Sequence, residues 1–280
     1  MTSDESRRSF TRSASLDYIV TKYEIPSRKV SAPITCALIS DLHNKRYGED
    51  NRLLTDRIRE EKPDIILCAG DLLVGRPENS YEGALAFAKQ LAEIAPVYYA
   101  NGNHETQYRR YARPKYAAYV RKLRKAGVHL VNNRSEELCL GGDKIRITGL
   151  EVSLEKYIKF RKPHCDLAYL ENKIGRAATQ SDPYTILIAH NPVFFRTYDE
   201  WGADLTVGGH YHGGVVRSPF SGRALLSPYG FPFPKFGVGR LDFSPERCII
   251  ASAGLGDHSI PLRIFDPREL VMIHIVPLGS

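Results

Sequence analysis

Along the first hundred residues, short unbroken apolar runs alternate with stretches whose apolar positions recur every three or four residues. The runs Ile34–Ser40, Asp64–Ala69 and Val97–Ala100 are too uniformly apolar for half-exposed strands and predict strands buried on both faces. Between them, Asn51–Glu61, with Leu53, Leu54 and Ile58, and the stretch Tyr81–Ile94 predict helices. Such alternation implies parallel strands with helices over them. Shorter strands are predicted at Ile145–Leu150, Tyr184–Ala189, Leu205–Val207, Gly239–Phe243, Cys248–Ala253 and Glu269–Val276. With less helix between them, a more antiparallel second sheet is expected. The chain is therefore read as α/β, a four-layer α-β-β-α sandwich in which two mixed sheets pack face to face with helices outside.

The polar start Met1–Leu16 is expected to be a flexible leader, and residues 17–280 a single domain. It has no apolar core of the kind a signal peptide needs, and no apolar run approaches the roughly 18–20 residues of a membrane span. Five scattered cysteines (Cys36, Cys68, Cys139, Cys165, Cys248), odd in number and never spaced C-x-x-C, argue against a disulfide framework or a cysteine zinc cage and fit reduced thiols. A cytoplasmic chain is expected, or a peripheral membrane one if a native anchor is missing. A net charge of +7 favours an anionic partner: a phosphate ester, a nucleic acid or a membrane surface of anionic headgroups. It is equally the mark of a solvated basic surface. Basic residues concentrate at Arg109–Arg124, which reads as a helix with a cationic outer face. The Gly-, Pro- and aromatic-rich Gly213–Gly239 either buries its own aromatics or walls an apolar substrate or membrane surface. Oligomeric state is left open.

Chemistry-bearing residues stand where predicted strands end. Asp41-Leu42-His43 follows the first strand, Gly70-Asp71 the second and Gly102-Asn103-His104-Glu105 the third. His190-Asn191 and Gly208-Gly209-His210-Tyr211-His212 follow two later ones. In open α/β sheets ligands bind beyond the carboxyl ends of strands, so these five ends can meet in one crevice. Imidazole and carboxylate together suit Mn, Fe, Zn or Ni, and two such metal ions can clamp an in-line displacement at phosphorus. Asp-x-His and His-x-His are expected to work through an extended backbone, whose alternate residues share a face.

The series D-x-H, G-D, G-N-H-E, H and G-H-x-H, in this order, resembles the calcineurin-like metallophosphoesterase superfamily. The tail GGHYHGG…SPYGFPFPKFGVG…ASAGLGDHSIPLRIFDPRELV resembles its bacterial membrane-associated phosphoesterase and UDP-diacylglucosamine pyrophosphohydrolase subfamily. The resemblance implies a metal-dependent phosphoric ester hydrolase with two divalent metal ions. One would be held by Asp41, His43, Asp71 and His212, the other by Asp71, Asn103, His190 and His210, with Asp71 bridging. His104 would be the general acid and a metal-bound hydroxide the nucleophile. Asn44 is a candidate contact to a phosphate oxygen, or else a turn residue serving the local backbone. The substrate would be a phosphate ester or pyrophosphate, small or linked to lipid or nucleotide.

Three departures stand out. Val74 occupies the position where the family often has a second acid, so Glu105 or another group would have to hold His104. Tyr211 is bulky for the H-x-H spacer and is expected to narrow the substrate pocket. Relatives in this subfamily often begin with a membrane anchor, and Met1–Leu16 is not expected to be one. Two other readings are a nuclease of the same superfamily, suggested by the basic charge, and a non-catalytic binding scaffold.

Overall fold

The computed structural model describes residues 8–12, 17–214, 216–218, 221–222, 224–257 and 263–279. Among these residues the first sheet has seven strands in the order β1 (Arg8–Arg12), β2 (Ile19–Ser27), β13 (Glu269–Pro277), β3 (Ile34–Ile39), β4 (Ile65–Cys68), β5 (Val97–Tyr99) and β6 (His129–Leu130). The second has six, β11 (Gly239–Ser244), β12 (Arg247–Ala251), β10 (Leu205–Gly208), β9 (Tyr184–Ala189), β8 (Asp143–Leu150) and β7 (Arg134–Leu140). Strands β3, β4, β5 and β6 run parallel. Helices α1 (Arg52–Glu60) and α2 (Glu82–Ala92) lie between them in sequence, as the alternation predicts.

Each buried strand splits its residues between two cores. In β3, Cys36 and Leu38 face the second sheet, while Ala37 and Ile39 face the helices. In β9 (Tyr184–Ala189), Ile186 and Ile188 meet the first sheet, and Leu187 and Ala189 lie under α5 (Leu167–Ile174) and α6 (Phe195–Trp201). Period-two strands apolar on both sides give three cores and four layers, the α-β-β-α arrangement expected.

Two expectations are corrected. The second sheet is antiparallel only at its edges, where β7 (Arg134–Leu140) pairs with β8 (Asp143–Leu150) and β11 (Gly239–Ser244) with β12 (Arg247–Ala251). Its centre, β8-β9-β10-β12, is parallel, because α5 and α6 supply the crossovers that parallel neighbours require. The basic stretch is two helices, α3 (Asn103–Tyr111) and α4 (Arg113–Lys125), broken at Ala112 (φ −135°, ψ 48°). Pro114, in the first turn of α4, has no N–H to continue the ladder of α3. Within the leader, Arg8–Arg12 forms β1, an edge strand antiparallel to β2 (Ile19–Ser27); residues 1–7 and 13–16 lie outside the described residues. The outer face of α4 is cationic, although Lys122 pairs with Glu82, and Arg109 of α3 with the buried Glu151. Among the described residues no helix is long and apolar enough to cross a membrane.

Strand β13 (Glu269–Pro277) runs parallel to β2 and antiparallel to β3, so the two ends of the chain close one sheet. The loop before it passes beneath the first chemical turn: Leu255 and Gly256 donate backbone N–H bonds to the carbonyls of Ser40 and Asp41.

Candidate metal centre

The carboxyl ends of β3, β4 and β5 in one sheet and of β9 and β10 (Leu205–Gly208) in the other lie together, and the five segments singled out from sequence meet there. Their backbone is not extended. Asp41, His43, Asp71, His210 and His212 all have positive φ, between 46° and 68°. Tight left-handed turns, not strand alternation, carry Asp41 with His43 and His210 with His212 to one place. Such backbone costs L-residues of order 1 kcal/mol each and concentrates at functional sites. The two glycines nearest the carboxylates have a steric reason: a Cβ on Gly102 would lie 2.1 Å from Asp71 Oδ1, and one on Gly209 2.1 Å from Asp41 Oδ2.

Asp41 and Asp71 are 0% and 1% exposed. Among the described residues no lysine or arginine pairs with either, and the ion-pair partners they have there are all histidines. His212 Nε2 stands 3.3 Å from Asp41 Oδ1 and 3.0 Å from His43 Nε2. His190 Nε2 is 3.1 Å from Asp71 Oδ2 and 3.2 Å from Asn103 Oδ1. His43 Nε2 lies 3.9 Å from carboxylate oxygens of both Asp41 and Asp71. Two triads, Asp41-His43-His212 and Asp71-His190-His210, each keep their donor atoms within 4.8 Å of one another. Two carboxylates buried without a cation are expensive unless something positive shares the cavity, and this nitrogen and oxygen set fits borderline divalent metals.

The charges answer one another. Burial pushes the Asp41 carboxyl up to about 6, against the pull of His190. Burial opposes ionisation of Asp71 too, but His190, His104 and His43 outweigh it and hold that carboxyl well below its usual range. His190 is raised to about 10, its burial overcome by Asp71 and Asp41. Its Nδ1 faces the carbonyl of Ala69 at 2.6 Å, which orients the ring with Nε2 toward Asp71. A partner on the far nitrogen is the usual arrangement for a metal-ligating imidazole.

His104 stands at the start of α3. Its backbone N–H donates to Asp71 Oδ1 at 2.8 Å and its Nε2 lies 4.0 Å from Asp71 Oδ2. Glu105 does not hold this ring. It is fully buried and accepts the backbone N–H groups of Asp71, Leu72 and Gly102 and the hydroxyl of Tyr99, at 2.7–2.9 Å. It fixes the Asp71 turn instead. What holds His104 is Gly75, whose N–H reaches Nδ1 at 2.9 Å. Asn44 follows His43 at φ 59°, donates its backbone N–H to Leu72, and has its side-chain carbonyl buried without a partner among the described residues.

Tyr211 is 2% exposed and packs on Gly237, where a Cβ would lie 2.4 Å from its ring. Its ring is held inside the fold against the Gly213–Gly239 loop. That loop buries Tyr229 and Phe236 but exposes Phe233; Phe220 lies outside the described residues. Of two further site residues, Tyr157 carried no sequence signal and Tyr229 was marked only as an aromatic of the Gly213–Gly239 loop. Tyr157, on a short turn between β8 and α5, sets its ring edge-on to His210 at 4.8 Å. Tyr229 accepts from Asn191 Nδ2 at 2.5 Å and donates to the Lys156 carbonyl at 2.8 Å, tying three loops together.

Asp, Asn and His from five strand ends of a sandwich of two mixed sheets thus form a site able to hold metal. The calcineurin-like phosphoesterase (Metallophos) family matches residues 34–214, and the chain belongs to it. The family match makes the chain a metal-dependent phosphoric ester hydrolase. An uncharacterized metallophosphoesterase of Aquifex aeolicus (strain VF5) is 28% identical over 272 residues, 93% of each chain. Phosphodiesterase YaeI of Escherichia coli (strain K12) is 26% identical over 249 residues, 88% of this chain and 83% of the other. Among solved structures, the phosphopantetheinyl hydrolase PptH of Mycobacterium tuberculosis aligns with a TM-score of 0.43 and 17% identity over 74% of this chain and 92% of that one.

Proposed function

We propose that this chain hydrolyses a phosphate ester or pyrophosphate bond at a centre of two divalent metal ions. Asp41, His43, Asp71 and His212 would hold one ion, and Asp71, Asn103, His190 and His210 the other. The observation that carries this reading is the pair of buried carboxylates ringed by imidazoles and lacking any lysine or arginine partner among the described residues. Asp71 suits the bridging place, because its Oδ2 lies within 4.0 Å of His43, His104 and His190. When bound, the metals would polarise the phosphoryl oxygens and lower the pKa of water.

The protein's own part follows from its geometry. The Gly75 N–H on Nδ1 leaves the proton of the neutral His104 ring on Nε2, which faces the site. From there it can be shared in a hydrogen bond with the leaving oxygen, steadying the negative charge that develops on it. Glu105 holds the Asp71 turn rigid through its backbone bonds. Asn44 remains a candidate for contacting a phosphate oxygen from beside His43.

The test is hydrolysis of p-nitrophenyl phosphate and bis-p-nitrophenyl phosphate by metal-stripped protein, with Mn, Fe, Zn, Ni and Mg restored singly. Metal-dependent turnover absent from Asp71→Ala supports the reading, and the preferred ester separates monoester from diester chemistry. Failure to bind any of these metals would overturn it.

A further inference from the structure

Nine large apolar side chains are exposed among the described residues, and six of them belong to three segments bordering the metal centre: Ile158, Phe160, Leu226, Phe233, Ile264 and Phe265. Phe160, Phe233 and Phe265 are 77%, 76% and 67% exposed. A ladder of backbone hydrogen bonds joins the segments, from Arg217 to Ile264 (3.0 Å), Leu225 to Val216 (2.9 Å), Phe233 to Leu225 (2.9 Å) and Phe160 to Tyr229 (2.8 Å). Each segment touches the centre. Tyr157 and Tyr229 set their rings 4.8 and 6.0 Å from His210, and Arg263 Nη2 lies 3.4 Å from His212 Nδ1. Single exposed apolar residues are ordinary; a connected group on one rim marks a surface that something covers.

The charge around this rim says what covers it. Between Glu155 and Asp166 the chain has no acid, and Lys159, Arg161 and Lys162 alternate with the apolar residues. All three are exposed, as is Lys235 beside Phe233, and none is in an ion pair among the described residues. Phenyl and aliphatic side chains with unpaired cations between them are the composition of a surface that lies in a bilayer interface. A nucleic acid would call for stacking platforms, and Ile158, Leu226 and Ile264 have no π face to offer a base.

We propose that the rim of the metal centre docks onto an anionic lipid bilayer, with Phe160 and Phe233 entering the interface and Lys159, Arg161, Lys162 and Lys235 meeting the headgroups. The centre would then open toward the membrane plane, where phosphate esters of lipids or of lipid-linked molecules are within reach. Docking itself does not depend on the number of metals or on which ester is cleaved.

The experiment is co-sedimentation of the full chain with vesicles of phosphatidylcholine alone and of phosphatidylcholine mixed with phosphatidylglycerol. Binding is expected to the mixed vesicles and to weaken with salt. The double variant Phe160→Ala, Phe233→Ala should lower the partition about tenfold. Charge reversal at Lys159, Arg161 and Lys162 to Glu should lower it roughly a hundredfold. Both variants should keep wild-type circular dichroism and hydrolysis of the soluble p-nitrophenyl ester, which separates lost docking from lost fold or chemistry. No binding to mixed vesicles, binding unaffected by both variants, or tighter binding to a single-stranded oligonucleotide that the same substitutions abolish would each overturn the proposal.

Discussion

The backbone N–H of Gly75 donates to Nδ1 of His104 across 2.9 Å. It does so one residue after Val74, where the resemblance leads one to expect an acid. An amide cannot accept a proton from the ring, as a carboxylate would, so the link selects the Nε2–H form and directs it at the site. The approach is close: a Cβ on residue 75 would sit 2.3 Å from the His104 carbonyl oxygen and 2.8 Å from its Cα. Gly75→Ala should therefore displace the ring and lower kcat by roughly a hundredfold or more, the scale of a lost hydrogen-bond donor to developing charge. Metal stoichiometry should stay at the wild-type value. Normal turnover in Gly75→Ala would show that this bond does not position His104.

Asp41 and Asp71 should make the protein more stable with metal than without it. With metal removed, two carboxylates remain buried among histidines. Asp41→Asn keeps the shape and an acceptor for the His210 N–H, now 3.0–3.1 Å away, but removes one charge. The chelated variant should gain about 1–2 kcal/mol over chelated wild type, or a few degrees in Tm at about 2–4 °C per kcal/mol. The same variant should be inactive. Calorimetry of both proteins in chelator decides: a variant that melts lower shows the carboxylate to be a structural group.

The ligands proposed for this centre were legible because each interrupts an apolar run at its carboxyl end, where a polar residue has no packing reason to stand. The two-sided burial of β3, β4 and β9 was legible for the same reason in reverse: nothing polar breaks them. What escaped was set by distant partners. In β2, Lys22, Glu24 and Pro26 obscure a strand that becomes buried only when β13 arrives from the other end of the chain. The parallel centre of the second sheet depends on α5 and α6, at 8 and 7 residues too short to impose a clear period. Tyr157 reaches His210 from a turn with no motif, and Glu105 sits within the quoted motif yet serves the Asp71 backbone rather than the neighbouring ring.

Tyr229 is the knot of the rim. Its hydroxyl accepts from Asn191 and donates to Lys156, joining the His190 turn to the basic loop. Tyr229→Phe should cost about 1–3 kcal/mol, because the buried Asn191 amide loses an acceptor. It should also loosen residues 154–166. Hydrogen exchange by mass spectrometry should find faster exchange there and in 225–233, with the β3–β5 strands unchanged. Protection equal to wild type in both segments would mean that packing alone holds the rim.

His274 supplies a pH dependence away from the metal centre. Burial, then Lys22, lowers its pKa from the ordinary 6.5, with Glu61 and Glu24 pulling the other way. Its Nδ1 stands 3.2 Å from Thr35 Oγ1, an arrangement in which a neutral ring accepts the hydroxyl proton and a charged ring cannot. A histidine whose folded pKa lies below its unfolded value favours folding while neutral. Its contribution is complete above about pH 6.5, where neither state binds the proton, and falls as the unfolded chain begins to protonate. It goes on falling until the folded ring titrates as well, then levels off. Urea unfolding of wild type and His274→Gln at pH 7.5, 6.5 and 5.5, all in chelator, isolates this term from the metal-site histidines. The gap between the two proteins should shift in favour of the variant as pH drops through 6.5. Curves that stay parallel across the three pH values would assign the acid sensitivity of the fold to other groups.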